Sequence, residues 1–190
     1  MCGISGFLNK NLPDNKQQIL VKGLSELQAH RGPDFSGEWK NSNAHFFHQR
    51  LSLIDGNSRS NQPFFNEDFV LCFNGEIYNY LTLKQQLATV TFTTTSDTEV
   101  LFQYLIHFGI EKTLRDIKGM FAFSFYDVKR KELFFVRDRF GIKPLFFVNN
   151  SEVFAFASES RTLAKSLQLK PDSYKTMLSL NSTLEGSSTY

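Results

Sequence analysis

The sequence predicts an α+β domain in which two antiparallel sheets pack between helices. From Met120 onward, four strand-like segments follow one another with only short polar or Gly-Pro turns between them, which is hairpin rather than crossover connectivity. Ahead of them, apolar residues recur at helical spacing in stretches that alternate with strand-like runs. Phe121-Ala122-Phe123-Ser124-Phe125 alternates large with small, which suits two sheets facing each other better than one solvated sheet.

Taken in order, residues 4–8 read as a short strand. Asp14, after Pro13, is a plausible N-cap for a helix through Gln28, with Leu20, Leu24 and Leu27 at helical spacing. Arg31-Gly32-Pro33-Asp34 is a loop by its Gly-Pro chemistry. Residues 46–52 and 69–73 look like strands, and residues 80–88 look helical, with Leu83 and Leu87 four apart. Residues 91–95 are β-rich. Ser96-Asp97-Thr98-Glu99 has the form of a capping box and opens a helix carrying Val100, Leu101, Tyr104, Leu105 and Phe108 on one side. The four later strands are 120–127, 133–137, 144–148 and 153–158, and closing helices are expected at 160–167 and 172–180.

Composition bounds the function. At 190 residues the chain is expected to be one domain, and with 41% hydrophobic residues and 21 Phe its core should be heavily aromatic. A formal net charge of +2 without a basic block asks for neither nucleic acid nor an anionic membrane. No apolar run reaches membrane-spanning length, and residues 1–20 lack a signal-peptide pattern. Two cysteines, Cys2 and Cys72, make no CxxC and no disulfide framework. A reduced, cytoplasmic protein is the expectation.

The chemistry starts at Cys2, directly behind Met1. A small second residue lets the methionine be removed, leaving a cysteine that carries a thiol and a free α-amine on one residue. That amine titrates at roughly 7.7–8.0 and the thiol near about 8.5, so the amine can take the thiol proton without a separate histidine. Asn74-Gly75-Glu76 follows the apolar run 69–73. An Asn amide and a Gly N–H can aim two donors at one oxygen, as an oxyanion hole requires, though Asn-Gly taken alone reads as an ordinary turn after a strand. Arg50, closing a strand, suits bidentate capture of a carboxylate, or is a surface arginine. Asp97 serves the helix N-terminus or holds a substrate ammonium. His30, His45, His48 and His107 show no companion ligands at metal spacing, so no metal site is expected. Cys72 reads as core. Together these parts describe hydrolysis of a side-chain amide of an amino acid.

The ordered set Met1-Cys2-Gly3-Ile4, His30-Arg31-Gly32-Pro33-Asp34, residues 49–55, 73–80, 96–99, 119–127, 137–147 and 157–161 resembles the class II glutamine amidotransferase (glutaminase) domain. Arg-Gly-Pro-Asp and Asn-Gly-Glu-Ile-Tyr resemble the asparagine synthetase branch. The resemblance implies the N-terminal nucleophile hydrolase fold, a four-layer αββα sandwich. It implies Cys2 as nucleophile with its own α-amine as base, and Asn74 and Gly75 as the oxyanion hole. Arg50 takes the glutamine α-carboxylate, Asp97 and Glu76 take the α-ammonium, and Leu51, Ser52, Leu53 and Ile54 frame the substrate through backbone contacts. Arg137-Asp138-Arg139-Phe140-Gly141-Ile142-Lys143-Pro144 also matches, and is read as structural.

L-Glutamine is therefore the expected substrate, and the glutaminase half is expected to use no cofactor. The sequence ends at Tyr190 without a Ser-Gly-Gly nucleotide motif. ATP and Mg are accordingly expected only in a synthetase partner, a missing domain or a separate subunit that receives the ammonia, with aspartate as default acceptor. Two rivals are a non-catalytic module packing against a synthetase, and another N-terminal nucleophile hydrolase. A scaffold has no use for the set Cys2, Arg50, Asn74 and Asp97. The second rival usually exposes its nucleophile by cleaving a propeptide, whereas only Met1 precedes Cys2 here.

Overall fold

Alternate residues along the central strands face two different partners, and that sorting builds four layers. The computed structural model describes residues 1–52 and 54–170. In chain order the elements are β1 (Gly3–Asn9), α1 (Asp14–Glu26), β2 (Phe35–Lys40), β3 (Ala44–Arg50), β4 (Phe64–Phe65), β5 (Phe69–Ile77), α2 (Tyr80–Gln85) and α3 (Asp97–Asp116). They continue with β6 (Gly119–Asp127), β7 (Glu132–Arg137), β8 (Phe146–Asn149), β9 (Val153–Ala157) and α4 (Ser160–Ser166). One sheet has the order β2-β3-β1-β9-β8 and the other β4-β5-β6-β7, and all the pairings are antiparallel.

Between the sheets lie Ile4, Phe46, Val70, Cys72, Ala122, Tyr126 and Phe156. Outside the first sheet, Phe7, Phe47, Ala155 and Ala157 pack on Leu20 and Leu24 of α1 and Leu163 of α4. Outside the second, Leu71, Phe73, Phe121, Phe123 and Phe125 pack on Leu101, Tyr104 and Leu105 of α3 and Leu83 of α2. The large-small alternation in β6 thus turns its phenylalanines toward the helices and Ala122 and Ser124 toward the opposite sheet. The layering is αββα.

The middle of the first sheet joins the two ends of the described chain. β1 pairs with β9 from Ser5 opposite Ala157 to Asn9 opposite Val153. Just past that ladder, Ile4 N–H donates to Ser158 Oγ at 3.0 Å and Ser158 N–H donates to Ile4 O at 2.8 Å.

Several expected elements shift. β2 and the two-residue β4 are additional to the expected strands. The β-rich segment 91–95 forms no strand, because Thr93 and Thr94 donate their N–H groups to the Glu99 carboxylate at 3.0 and 2.6 Å instead of to a neighbouring strand. This also removes one arm of the expected capping box. Ser96 Oγ caps Glu99 N at 3.3 Å, but Glu99 does not reach back to Ser96. Pro13 occupies the N-cap of α1, and Asp14 is its first helical residue. Gly109, with φ of 74°, interrupts α3 where no side chain fits the backbone easily. The helix expected at 172–180 lies outside the described residues.

Candidate active site

β5 does not stop before Asn74. It runs on to Ile77, so Asn74, Gly75 and Glu76 are strand residues rather than the turn after a strand. Gly75 explains why a strand passes here. A Cβ on it would lie 2.3 Å from Met120 O and 2.7 Å from the Phe121 Cα, so β5 and β6 approach too closely for any side chain. Gly75 sits opposite Phe121, whose N–H and C=O both turn away to Asp138 at 3.2 and 2.8 Å. The pair is therefore non-hydrogen-bonded, and the Gly75 N–H points out of the β5–β6 ladder. Asn74 faces the space between the sheets, 2% exposed, and among the described residues its Nδ2 has no hydrogen-bond partner. A buried donor left without an acceptor is costly unless a ligand supplies one.

Cys2 enters the same cleft from the first sheet. Gly3 pairs with Gln49, which sets the Cys2 Sγ against the backbone just beyond β3, 3.4 Å from Leu51 N and 3.5 Å from Leu51 O. Arg31 Nε donates to Cys2 O at 3.0 Å, and Arg31 Nη1 pairs with Glu159 at 3.1 Å, so the first residues are clamped rather than frayed. Burial pushes the Cys2 thiol above its ordinary range. The Leu51 contact, the Met1 ammonium, Arg50 and Arg31 pull it partly back. The thiol keeps its proton near neutral pH and calls for a base.

Arg50 ends β3 and is buried. Its Nη1 donates to Asn57 O at 3.0 Å and Asn61 Oδ1 at 2.7 Å, and its Nη2 donates to Ile54 O at 3.4 Å and to Asp55 O. These are neutral acceptors. Among the described residues no carboxylate lies within ion-pair distance of Arg50, so its charge is oriented but not neutralised. Two carboxylates line the same cleft, Glu76 and Asp97. Burial raises Asp97 to about 6. The N–H groups of Ile77 and Thr98 oppose the rise and the charge of Glu76 adds to it. A cation without a carboxylate partner among the described residues and two carboxylates thus share one cleft, a charge set complementary to a zwitterionic amino-acid head group.

The matching family is the glutamine amidotransferase domain, whose profile covers residues 1–188. The chain belongs to that family. It is 40% identical over 170 residues to glutamine-hydrolyzing asparagine synthetase 2 of Bacillus subtilis, an alignment covering 86% of this chain and 22% of that protein. It is 41% identical over 188 residues to a putative glutamine-hydrolyzing asparagine synthetase of Mycobacterium bovis, covering 89% of this chain and 28% of that one. The chain therefore spans between 22% and 28% of the length of these relatives. Glutamine phosphoribosylpyrophosphate amidotransferase of B. subtilis shares its fold, with a TM-score of 0.66 at 23% identity over 87% of this chain and 43% of that one. A structure described as the allosteric regulatory enzyme of purine biosynthesis superposes with a TM-score of 0.70 at 23% identity, with the same coverage. The αββα sandwich of this glutamine amidotransferase domain is thus the N-terminal nucleophile hydrolase fold.

Within this amidotransferase domain the cleft gathers Cys2, Arg50, Leu51, Ile54, Asn74, Gly75, Glu76 and Asp97. Ser52 is not among its walls, because its N–H is bonded to Asp34 Oδ2 at 2.7 Å on the loop behind. Leu53 lies outside the described residues. The reading of 137–144 as structural holds for Asp138, whose carboxylate accepts N–H bonds from Phe121, Phe140, Ile142 and Lys143 at 3.0–3.2 Å. Lys143 departs from it. It is buried at the cleft wall with its Nζ 3.5 Å from Met1 Sδ. Gln62 and Ser60 also line the cleft and were missed, since a Gln or Ser in a polar loop carries no periodic signal.

Proposed function

We propose that this domain hydrolyses L-glutamine to L-glutamate and ammonia through a γ-glutamyl thioester on Cys2. The observation that carries the reading is the buried Asn74 Nδ2, without a partner among the described residues, in the cleft that also holds the Cys2 thiol.

With Met1 removed, the Cys2 α-amine takes the thiol proton and Sγ adds to the γ-carbonyl carbon. The charge that develops on the carbonyl oxygen is met by Asn74 Nδ2–H and Gly75 N–H. The carbon–nitrogen bond then breaks, the leaving nitrogen takes the proton back from the α-ammonium, and ammonia departs. Water, deprotonated by the same amine, adds to the thioester. The thiolate leaves and is reprotonated, and glutamate is released. Arg50 takes the α-carboxylate, exchanging neutral loop oxygens (the 3.4 Å contact to Ile54 O is the weakest of them) for a charged acceptor that bonds about twice as strongly. Asp97 and Glu76 take the α-ammonium.

The ammonia goes to an asparagine synthetase-type amidation, as the names of the longer relatives suggest, with aspartate as the default acceptor. ATP and Mg belong to that synthetase partner, and the glutaminase half uses neither. The two free thiols suit the cytoplasm. Among the described residues no helix is long and apolar enough to cross a membrane.

The test is mass spectrometry after incubation with a glutamine-analogue electrophile, on protein whose N-terminus has been sequenced. Added mass at Cys2, prevented by excess glutamine, is the expected result. Labelling elsewhere would overturn the assignment, and full hydrolysis by protein retaining Met1 would overturn the α-amine as base.

A further inference from the structure

β4 covers β5 only at Val70 and Leu71, and the same edge of β5 then runs uncovered toward the cleft. Phe73 is the next residue whose backbone groups face that edge. It is buried, so an unpaired N–H and C=O there would carry a heavy penalty. Among the described residues no strand meets them. The Gln62 side chain does instead, accepting from Phe73 N at 2.7 Å through Oε1 and donating to Phe73 O at 3.1 Å through Nε2. One primary amide reproduces the two-bond exchange of a strand neighbour. His48 Nε2 donates a second bond to Phe73 O at 3.1 Å. Burial holds His48 down at about 4, so its ring is neutral at physiological pH, and with Phe73 O as acceptor the proton sits on Nε2.

The next two residues after Phe73 are the oxyanion donors. Their aim depends on the twist and height of β5 at Phe73, which no β-ladder fixes on the cleft side. Gln62 is itself buried at the cleft, seated against β2 where Gly37 leaves room for its backbone. A Cβ on Gly37 would lie 2.1 Å from Gln62 O.

We propose that Gln62 is a positioning residue for glutamine hydrolysis, a side-chain stand-in for a β-strand that fixes the Asn74–Gly75 donors at the height where the oxyanion forms. The inference rests on the glutaminase reading above. Displacement of a donor pair by about 1 Å costs roughly 10²-fold in rate, whereas head-group contacts at Arg50 and Asp97 stay in place. Gln62→Met removes both bonds at nearly constant volume. Gln62→Glu keeps the acceptor for Phe73 N and loses the donor to Phe73 O.

The experiment compares the Met1-processed parent with both variants in three measurements. These are steady-state glutamine hydrolysis, inhibition by the γ-aldehyde analogue of glutamine, and alkylation by iodoacetamide. The aldehyde adds to Cys2 as a tetrahedral thiohemiacetal whose oxygen occupies the oxyanion position, while alkylation makes no oxyanion. The expected outcome for Gln62→Met is a kcat loss of roughly 10–100-fold with KM within about threefold. Aldehyde affinity should fall in parallel and the alkylation rate of Cys2 should be unchanged. Gln62→Glu should fall between parent and Gln62→Met. Full kcat in both variants with an active parent overturns the role of Gln62 alone. Equal losses in alkylation and hydrolysis show general disruption and overturn it too. A processed parent that neither hydrolyses glutamine nor binds the aldehyde overturns the glutaminase reading itself, and this inference with it.

Discussion

The Asp97 carboxylate accepts a hydrogen bond from Ile77 N–H at 2.9 Å, tying the first residue of α3 to the strand that carries Asn74 and Gly75. Burial nonetheless raises this acid from its ordinary 3.8 to about 6, so the native state holds the proton more tightly than the unfolded chain does. Stability contributed by that proton is present below about pH 4 and lost as pH rises to about 6. Above that, the ionised group costs about 3 kcal/mol. Asp97→Asn keeps an oxygen for Ile77 N–H and removes the charge. It is expected to melt above the parent at about pH 7.5 and with it near pH 4, while glutamine KM rises steeply. In the parent, KM should also rise below about pH 6. A pH series of thermal melts with matched kinetics checks both, and a variant less stable at every pH contradicts the assignment.

The two thiols should behave as opposites. Cys72 is fully buried between the sheets and burial pushes it up to about 12, so it is not a nucleophile at neutral pH. Cys2→Ala should abolish hydrolysis and leave the melt intact. Cys72→Ala should keep activity with a stability loss of about 1–3 kcal/mol. Comparable catalytic loss in both folded variants would mean that the nucleophile is misassigned.

Arg50→Ala should chiefly raise KM, because head-group contacts persist from ground state to transition state. The same side chain holds the oxygens of residues 54–61, so Arg50→Lys, with a point charge in place of a fork, is expected to rescue little. An unchanged KM in Arg50→Ala removes the residue from the site.

Asn74→Ala should lower kcat by roughly 10²–10³-fold with little change in KM. The γ-carbonyl oxygen becomes charged only as sulfur adds, so a donor aimed there acts on the transition state. Gly75 supplies its donor from the backbone, and some activity should survive. A raised KM at constant kcat would instead make Asn74 a substrate-positioning group.

The two-sheet architecture was legible because period-2 alternation and hairpin turns are local signals. β2 escaped because Gly37 and Glu38 break a β-forming pattern, and its stability comes from the long register along β3, which no local window contains. The candidate site was legible where chemistry and sequence position coincide, as at Cys2 and the Asn74-Gly75 pair, which share one cleft. What the sequence could not convey was that Asn74 and Gly75 lie inside a strand, since only the close approach of Met120 O dictates it. Gln62 was invisible for a related reason. Its role depends on where β4 stops covering β5.

Ile4 and Ser158, joined by one backbone bond and one bond to the serine hydroxyl, stand 154 positions apart. During ribosomal synthesis at about 5–20 residues per second, the strand behind Cys2 waits roughly 8–30 s for its second neighbour to emerge. Until then one edge of β1 is open. A nascent chain interrupted before Ser158 should carry the cysteine without a formed site. On the proposed mechanism, birth order therefore holds back any reactivity of the cysteine until residue 158 has emerged and the sheet behind it is complete.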